Sequence, residues 1–394
     1  MMEPVAAGDP NPRAYLQVGG VPLARHQLGL VLALGCGRIV CLARELGPEL
    51  IAMQHVAERA KAQFHVISSA RALAGLVSTA DEVIILGEGI LAFAEVARAL
   101  IEAGPAVLVL PAETAVSAGF ERIDLETASA GAMRLPGRLI ERLSELPADC
   151  NVASSLTRIA LQAGIAQRVI PSELRDGARW SMLRNEAEAH AIEAPWIRLH
   201  TGTIHATTPA RFLAIQAVRR LGPALLHAGT GPNSVILAGA MLVLIAMGLG
   251  WFGFVAASLI IGGIGWTLRK SAGLLSRVER DSLQDAPGRW PGQVVFGWVF
   301  DCALVALIGW GLPLAPQDPL IHRYFPPLML LGLSRVLPRA IPNRWTAWLS
   351  DRLVLTVGLA VASAAGVLGY TVYAAAIALA LAGVELPRKP VPQG

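Results

Sequence analysis

Residues 234–268 read "SVILAGAMLVLIAMGLGWFGFVAASLIIGGIGWTL", and residues 269–280 continue "RKSAGLLSRVER". The first stretch holds no charged side chain. A bilayer span needs about 20 apolar residues, with roughly 17 as the lower limit. The stretch therefore reads as two consecutive spans, 234–250 and 251–268, and 269–280 reads as a cationic loop after them. Four further apolar runs follow at 294–312, 321–337, 353–369 and 371–386, the fourth span interrupted by His322, Arg323 and Arg335. The expected fold of this half is a six-helix all-α transmembrane domain. Arg269, Lys270, Arg277, Arg280 and Arg289 lie between spans two and three, and Arg339, Arg344 and Arg352 between four and five. Arg388 and Lys389 follow span six, and the opposite loops hold few cations. Cations collect on the cytoplasmic side, so both termini are expected there, in a multi-pass inner (cytoplasmic) membrane protein whose partner is the lipid bilayer.

Composition agrees. Hydrophobic residues make up 54% of the 394 and charged residues 16%, low for a fully soluble chain of this length. The imbalance is confined to the second half, because residues 1–200 carry ordinary mixed charge. The net charge of +4 comes largely from Arg between apolar runs. No basic stripe with interleaved aromatics occurs, so no nucleic-acid partner is expected. Cys36, Cys41, Cys150 and Cys302 form no CxxC pair and no zinc-spaced cluster, which reads as free thiols. The start, "MMEPVAAGDPNPRAY", has neither a basic nor an apolar signal-peptide region.

The first half alternates helix and strand patterns. Buried-strand runs stand at 38–43 (RIVCLA), 64–68 (FHVIS), 82–87 (EVIILG) and 106–111 (AVLVLP), separated by helical spacing over 21–35, 49–63, 70–78 and 90–104. Short apolar strands between helices predict a parallel α/β sheet.

"PRAYLQVGGVPLARHQLGLVLALGCGRIVCLA" (12–43), "ADEVIILGEGILA" (80–92) and "AGAMRLPGRLIERLSELP" (130–147) resemble the MobA-like and sugar-nucleotide nucleotidyltransferases. The resemblance implies an α/β, Rossmann-like domain over 1–197 and a nucleotide site built from Gly8, Arg13, Gly19, Gly20 and Glu88. The departures from the family pattern imply that the site is vestigial. The Gly-rich phosphate loop is shortened at "AAGDPNPR" (6–13), where Pro10 and Pro12 remove backbone donors. Arg13 stands for the expected Lys, and Glu88 for a metal-binding Asp. No Asp occurs in "WSMLRNEAEAHA" (180–191), where Glu186 or Glu188 would have to substitute. The alternatives are an active nucleotidyltransferase using Arg13 and Glu88, or a retained fold whose site has decayed, with Glu88 an ordinary residue at a strand end.

Residues 198–230 read as a linker followed by a cationic helix, 210–226, that lies either at the membrane interface or on the soluble domain. His190, His200 and His205 share no ligand spacing and read as surface histidines. Residues 231–394 resemble the CDP-alcohol phosphotransferases, most clearly those fused to an inositol-phosphate cytidylyltransferase. The resemblance rests on six spans after a nucleotidyltransferase-like domain, on "TGPNSVILAGAMLVLIAMGLGW" (230–251) and on "DRLVLTVGLAVASAAG" (351–366). Their signature, D-x2-D-G-x2-A-R-x8-G-x3-D-x3-D, holds divalent cations on four carboxylates, the last being the base. Laid on that signature, "RKSAGLLSR" keeps Gly273 and Arg277 but has Arg269 and Ala272 for the acids. "FGWVFDCALV" (296–305) keeps Gly297 and Asp301 but has Val305 for the base.

The resemblance therefore implies a degenerate phosphotransferase-like protein of polar-lipid synthesis that acts by binding or scaffolding, without a metal. Arg269, Gly273, Arg277 and Gly297 would meet a lipid or CDP-alcohol head group, and Asp301 is the one candidate catalytic acid. The alternative is a divergent active transferase, which would need Mg²⁺. Asp301 is expected to pair with Arg269 or Arg277, as a structural pair or as part of a residual phosphate site. The family likeness further implies a homodimer.

Overall fold

The computed structural model describes residue 5 and residues 11–385 except 148–149, 172, 175–177, 203–205, 228–231, 284–290, 314–318 and 341–343. Two compact units result, one built chiefly from Met1–His200 and the other chiefly from the residues after it.

The first unit opens with the hairpin β1 (Gln17–Val18) and β2 (Val21–Pro22), then α1 (Leu23–Ala33), β3 (Arg38–Leu42), α2 (Pro48–Arg59) and β4 (Gln63–Ile67). Next come α3 (Ala70–Ala74), β5 (Glu82–Leu86), β6 (Ile90–Ala92), α4 (Ala94–Glu102), β7 (Ala106–Pro111) and α5 (Ala112–Ala115). β8 (Thr127–Pro136), a 3-10 segment (Gly137–Glu145), α6 (Val152–Gln162), β9 (Gln167–Val169), β10 (Trp180–Met182) and α7 (Glu186–Gly202) complete it. The α/β expectation holds, but the sheet is not all parallel. β3 and β4 pair in parallel, whereas β8 runs antiparallel between β5 and β7, and β9 joins β7 in parallel. β7 is buried along nearly its whole length, because α4 and α6 leave neither of its faces to solvent. The predicted helix at 90–104 begins late: Ile90–Ala92 is a strand paired with β10. His200 corrects another expectation. It is buried against Trp196 and Phe93, while His190 is exposed and His205 lies outside the described residues.

The second unit is helical: α8 (Pro209–His227), α9 (Pro232–Trp251), α10 (Val255–Leu283), α11 (Pro291–Gly311), α12 (Leu320–Ala340), α13 (Arg344–Leu349), α14 (Arg352–Ala364) and α15 (Leu368–Glu385). All six apolar runs fall on helices. Among the described residues, however, only two stretches, Pro232–Trp251 and Val294–Gly311, are long and apolar enough to cross a membrane, not six. Arg352–Ala364 and Leu368–Gly383 are apolar but shorter. α10 and α12 are long, but Arg269 and Lys270 dilute the apolar face of the first, and His322, Arg323, Arg335 and three prolines that of the second. The cationic stretch 269–280 is no loop. It continues α10 without a break, since nothing between Leu268 and Leu283 is a helix breaker except Gly273.

One contiguous core joins α9 to α12, α14 and α15, with Phe300, Leu304, Leu307 and Ile308 of α11 at its centre. α9 and α10 approach closely where Gly239 faces Gly265. A Cβ on either glycine would stand 3.0–3.1 Å from the other's carbonyl oxygen, the close approach that small residues permit between apolar helices. Large side chains such as Leu237, Leu244, Trp298, Val299 and Ile377 point outward and are exposed.

Candidate functional site

Two regions collect the residues singled out by sequence. In the first unit, β3 and β5 line a cleft of about 1160 Å³, and Arg13, Gln27, Cys41 and Glu88 also border it. Glu88 sits between Gly87 and Gly89 where β5 ends, and its Oε1 accepts from the Ala14 N–H at 3.3 Å. Gln27 braces the same turn by donating to the carbonyls of Gly87 and Ile90, both at 2.9 Å. Arg13 and Glu88 thus come to one cleft. Gly19 and Gly20 do not border it. They form the two-residue turn between β1 and β2, with φ of +62° and +75°, the left-handed pair that a tight hairpin demands. The Gly19 N–H donates to Glu193 Oε1 at 3.1 Å, and Glu193 is 2% exposed. Glu193 escaped the sequence reading because its partner lies 174 residues away. Glu188 is engaged locally, accepting from the Arg184 N–H at 2.9 Å and from its guanidinium. Gly8 lies outside the described residues. Burial pushes the thiols of Cys36 and Cys41 above the ordinary value. Burial, then the neighbouring Glu49, does the same to the Tyr15 phenol.

The second region is a polar cluster within the helical unit. Asp301 lies on α11, one turn after Gly297, and is 7% exposed. Arg352, at the start of α14 and 2% exposed, donates from Nε to Asp301 Oδ1 and from Nη2 to Oδ2, both at 2.9 Å. Its Nη1 donates to the Ser334 hydroxyl at 2.7 Å. Arg335 of α12 reaches the same carboxylate, Nε to Oδ2 at 2.6 Å, and donates from Nη2 to the Gly297 carbonyl at 2.9 Å. The Arg335 guanidinium also lies 4.0 Å from the Trp298 ring. This corrects the expected pairing of Asp301 with Arg269 or Arg277. The true partners lie on α12 and α14, and the Arg352 pairing spans 51 residues, so no reading confined to a hairpin of neighbouring spans would find it.

Arg269 is nonetheless close by. A Cβ on Gly297 would stand 3.3 Å from its Nη2, so glycine at 297 makes room for the Arg269 guanidinium while its carbonyl takes Arg335. Asp301 and Arg335 both lie within the electrostatic reach of Arg269. Arg277 is exposed and stands two turns further along α10, roughly 12 Å from Arg269. Gly273 is half-buried. At the positions where the signature has acids, Ala272 is fully buried and Val305 packs on the helical core. Asp351, 4% exposed, caps α14 by accepting from the Leu353 N–H at 3.1 Å and ties down the start of α8 by accepting from the Ala210 N–H at 2.8 Å.

No protein-family model matches the chain, and no curated protein matches it in sequence.

Proposed function

We propose that this chain is a multi-pass inner-membrane protein, both termini cytoplasmic, that binds a lipid or CDP-alcohol head group in polar-lipid synthesis, or scaffolds an enzyme that uses one. It has the organisation of a fused cytidylyltransferase and CDP-alcohol phosphotransferase without the metal-dependent chemistry. One observation carries this reading: the only acid kept from the phosphotransferase signature, Asp301, is committed on both oxygens to Arg352 and Arg335. Each of its oxygens is engaged by a guanidinium, so the residue is held in a structural pair. The donor set does not suit Mg²⁺, which demands several oxygen ligands. Here Arg269, Arg335 and Arg352 surround one carboxylate, and like charges repel a divalent cation. A guanidinium-rich pocket suits phosphate oxygens instead. On this reading α10, α12, α14 and α15 pack within the bilayer beside α9 and α11, and Asp301, Ser334 and Arg352 lie buried in the bundle interior, as intramembrane charges require.

The test is CMP release from a CDP-alcohol lipid with inositol phosphate as acceptor, with Mg²⁺ and the purified full chain. No release above the rate without protein is expected. Release that depends on Mg²⁺ and is lost in Asp301→Asn would overturn the reading in favour of an active transferase.

A further inference from the structure

The strands of the first unit do not join into one sheet. Among the described residues β3 pairs only with β4, and β5 only with β8. The two nonetheless lie side by side. Arg38, which opens β3, reaches Asp81, next to the start of β5, at 3.6 Å and donates to the Leu76 carbonyl. Toward the other end, Cys41 of β3 is within electrostatic reach of Glu88, which follows β5. Starts and ends coincide, so β3 and β5 run in the same direction. Between them lies the cleft of about 1160 Å³, and every residue of both strands borders it. Side chains alternate between the two faces of a strand. A cleft against one face would meet every second residue, so this one runs along the backbone edges.

Helices cover the gap on both faces. Leu28 and Leu30 of α1 share clusters with Ile39 and with Ile84. On the opposite face, Leu73 of α3 and Leu156 of α6 share one with Val40, Val83 and Ile85. Yet Ile39, Val40 and Val83–Leu86 are all half-buried, while Ala106–Leu110 of β7 are each at most 1% exposed. With both faces covered, solvent reaches these residues along the edge. Two facing edges present rows of backbone N–H and C=O groups, the template for a further strand. An acyl chain would leave both rows unpaired.

We infer that this gap is a receptor for an extended strand of another polypeptide, seated between β3 and β5. The inference does not depend on the head-group reading. The occupant's chemistry follows from the walls. Apolar clusters on both faces require consecutive apolar residues over about the five-residue length of β5. Proline is excluded because it lacks the N–H that the ladder uses. None of the segments of this chain outside the described residues offers such a run: 1–4 is MMEP, 6–10 is AAGDP, 386–394 is LPRKPVPQG, and the internal ones are shorter or contain proline. Cys41 and Leu42 have further partners, so the receptive edges are Arg38–Val40 and the whole of β5. Recognition is by strand addition, with main-chain bonds on both sides supplying affinity.

Hydrogen exchange of the full chain in detergent, read by mass spectrometry, tests this. The probe is the synthetic peptide KKVLVIVKK, and KKVPVPVKK is its control. Without peptide, segments 38–42 and 82–86 are expected to exchange faster than 106–110. With KKVLVIVKK both are expected to slow together, by about tenfold or more, and KKVPVPVKK leaves them unchanged. Ile85→Arg places a charge among the apolar walls and is expected to weaken binding of KKVLVIVKK by about tenfold. The inference is overturned if both segments are already as slow as 106–110, if KKVLVIVKK protects neither, or if the proline peptide or laurate protects equally. Unchanged binding in Ile85→Arg also overturns it, as does protection gained without peptide on raising the chain's own concentration, which would assign a second copy. If Ile85→Arg loosens 106–110 as well, its fold is disturbed, and the comparison of the two peptides on the unaltered chain decides.

Discussion

Replacing Asp301 by Asn probes the centre of the helical unit. The carboxylate accepts two hydrogen bonds from Arg352 at 2.9 Å and forms an ion pair with Arg335 at 2.6 Å. Asn keeps the shape but only one acceptor oxygen, and it turns an NH2 group toward guanidinium donors. Buried Arg352 and half-buried Arg335 then lose their anion. Breaking a buried pair from one side costs about 3–5 kcal/mol. At about 2–4 °C per kcal/mol for a unit of this size, the melting temperature falls by roughly 6–20 °C. The assay is thermal unfolding of the full chain in detergent, followed by tryptophan emission, with size-exclusion chromatography to confirm that each variant folds. The double variant Asp301→Leu with Arg352→Met removes one charge of each sign. It is expected to recover at least half of the loss, because apolar replacement of a buried pair is close to neutral. A single variant within about 1 °C of the parent, or a double variant no better than the single, refutes the claim that charge compensation holds α11, α12 and α14 together.

Three further outcomes follow from the same reasoning. Glu193→Ala takes from the half-buried Gly19 N–H its buried carboxylate acceptor and is expected to cost about 1–2 kcal/mol by chemical denaturation; Gly20→Ala at φ +75° costs about 1 kcal/mol through backbone strain alone. Gly239→Leu forces α9 away from the Gly265 carbonyl, 3.1 Å from the added Cβ, and is expected to reduce the folded yield in detergent more than Gly248→Leu, whose Cβ meets nothing within 4 Å. Burial raises the Cys41 thiol above the ordinary 9.0, so the folded chain keeps a proton that the unfolded chain loses from about pH 9 upward; that stability is whole below the unfolded value and declines as pH rises through the folded one. Cys41→Ala should flatten the alkaline loss in melting temperature between about pH 8 and pH 10, and an unchanged slope would show that other groups govern it.

What the amino-acid order determines by itself is local. Apolar runs longer than a soluble core helix needs mark the helices of the second unit, and strand-length runs such as AVLVLP at 106–111 mark the buried strands of the first. The Gly-Gly pair at 19–20, expected in a nucleotide site, instead makes the turn of a hairpin, because few other residues accept positive φ twice in succession. Spacing of four residues also places Gly297 and Asp301 on one face of α11. Periodicity says nothing about which distant face meets that one. β8 inserts antiparallel between β5 and β7 because the chain returns from a long excursion, and no hydrophobic pattern records the direction of return. Arg269–Arg280 resembles a loop by charge, yet helix formation tolerates charge, and the cations snorkel or stack along α10 instead. The partners of Asp301 were settled only in three dimensions. Arg335 and Arg352 sit in different helices, and a carboxylate shielded from water takes whichever guanidiniums the packing of those helices delivers.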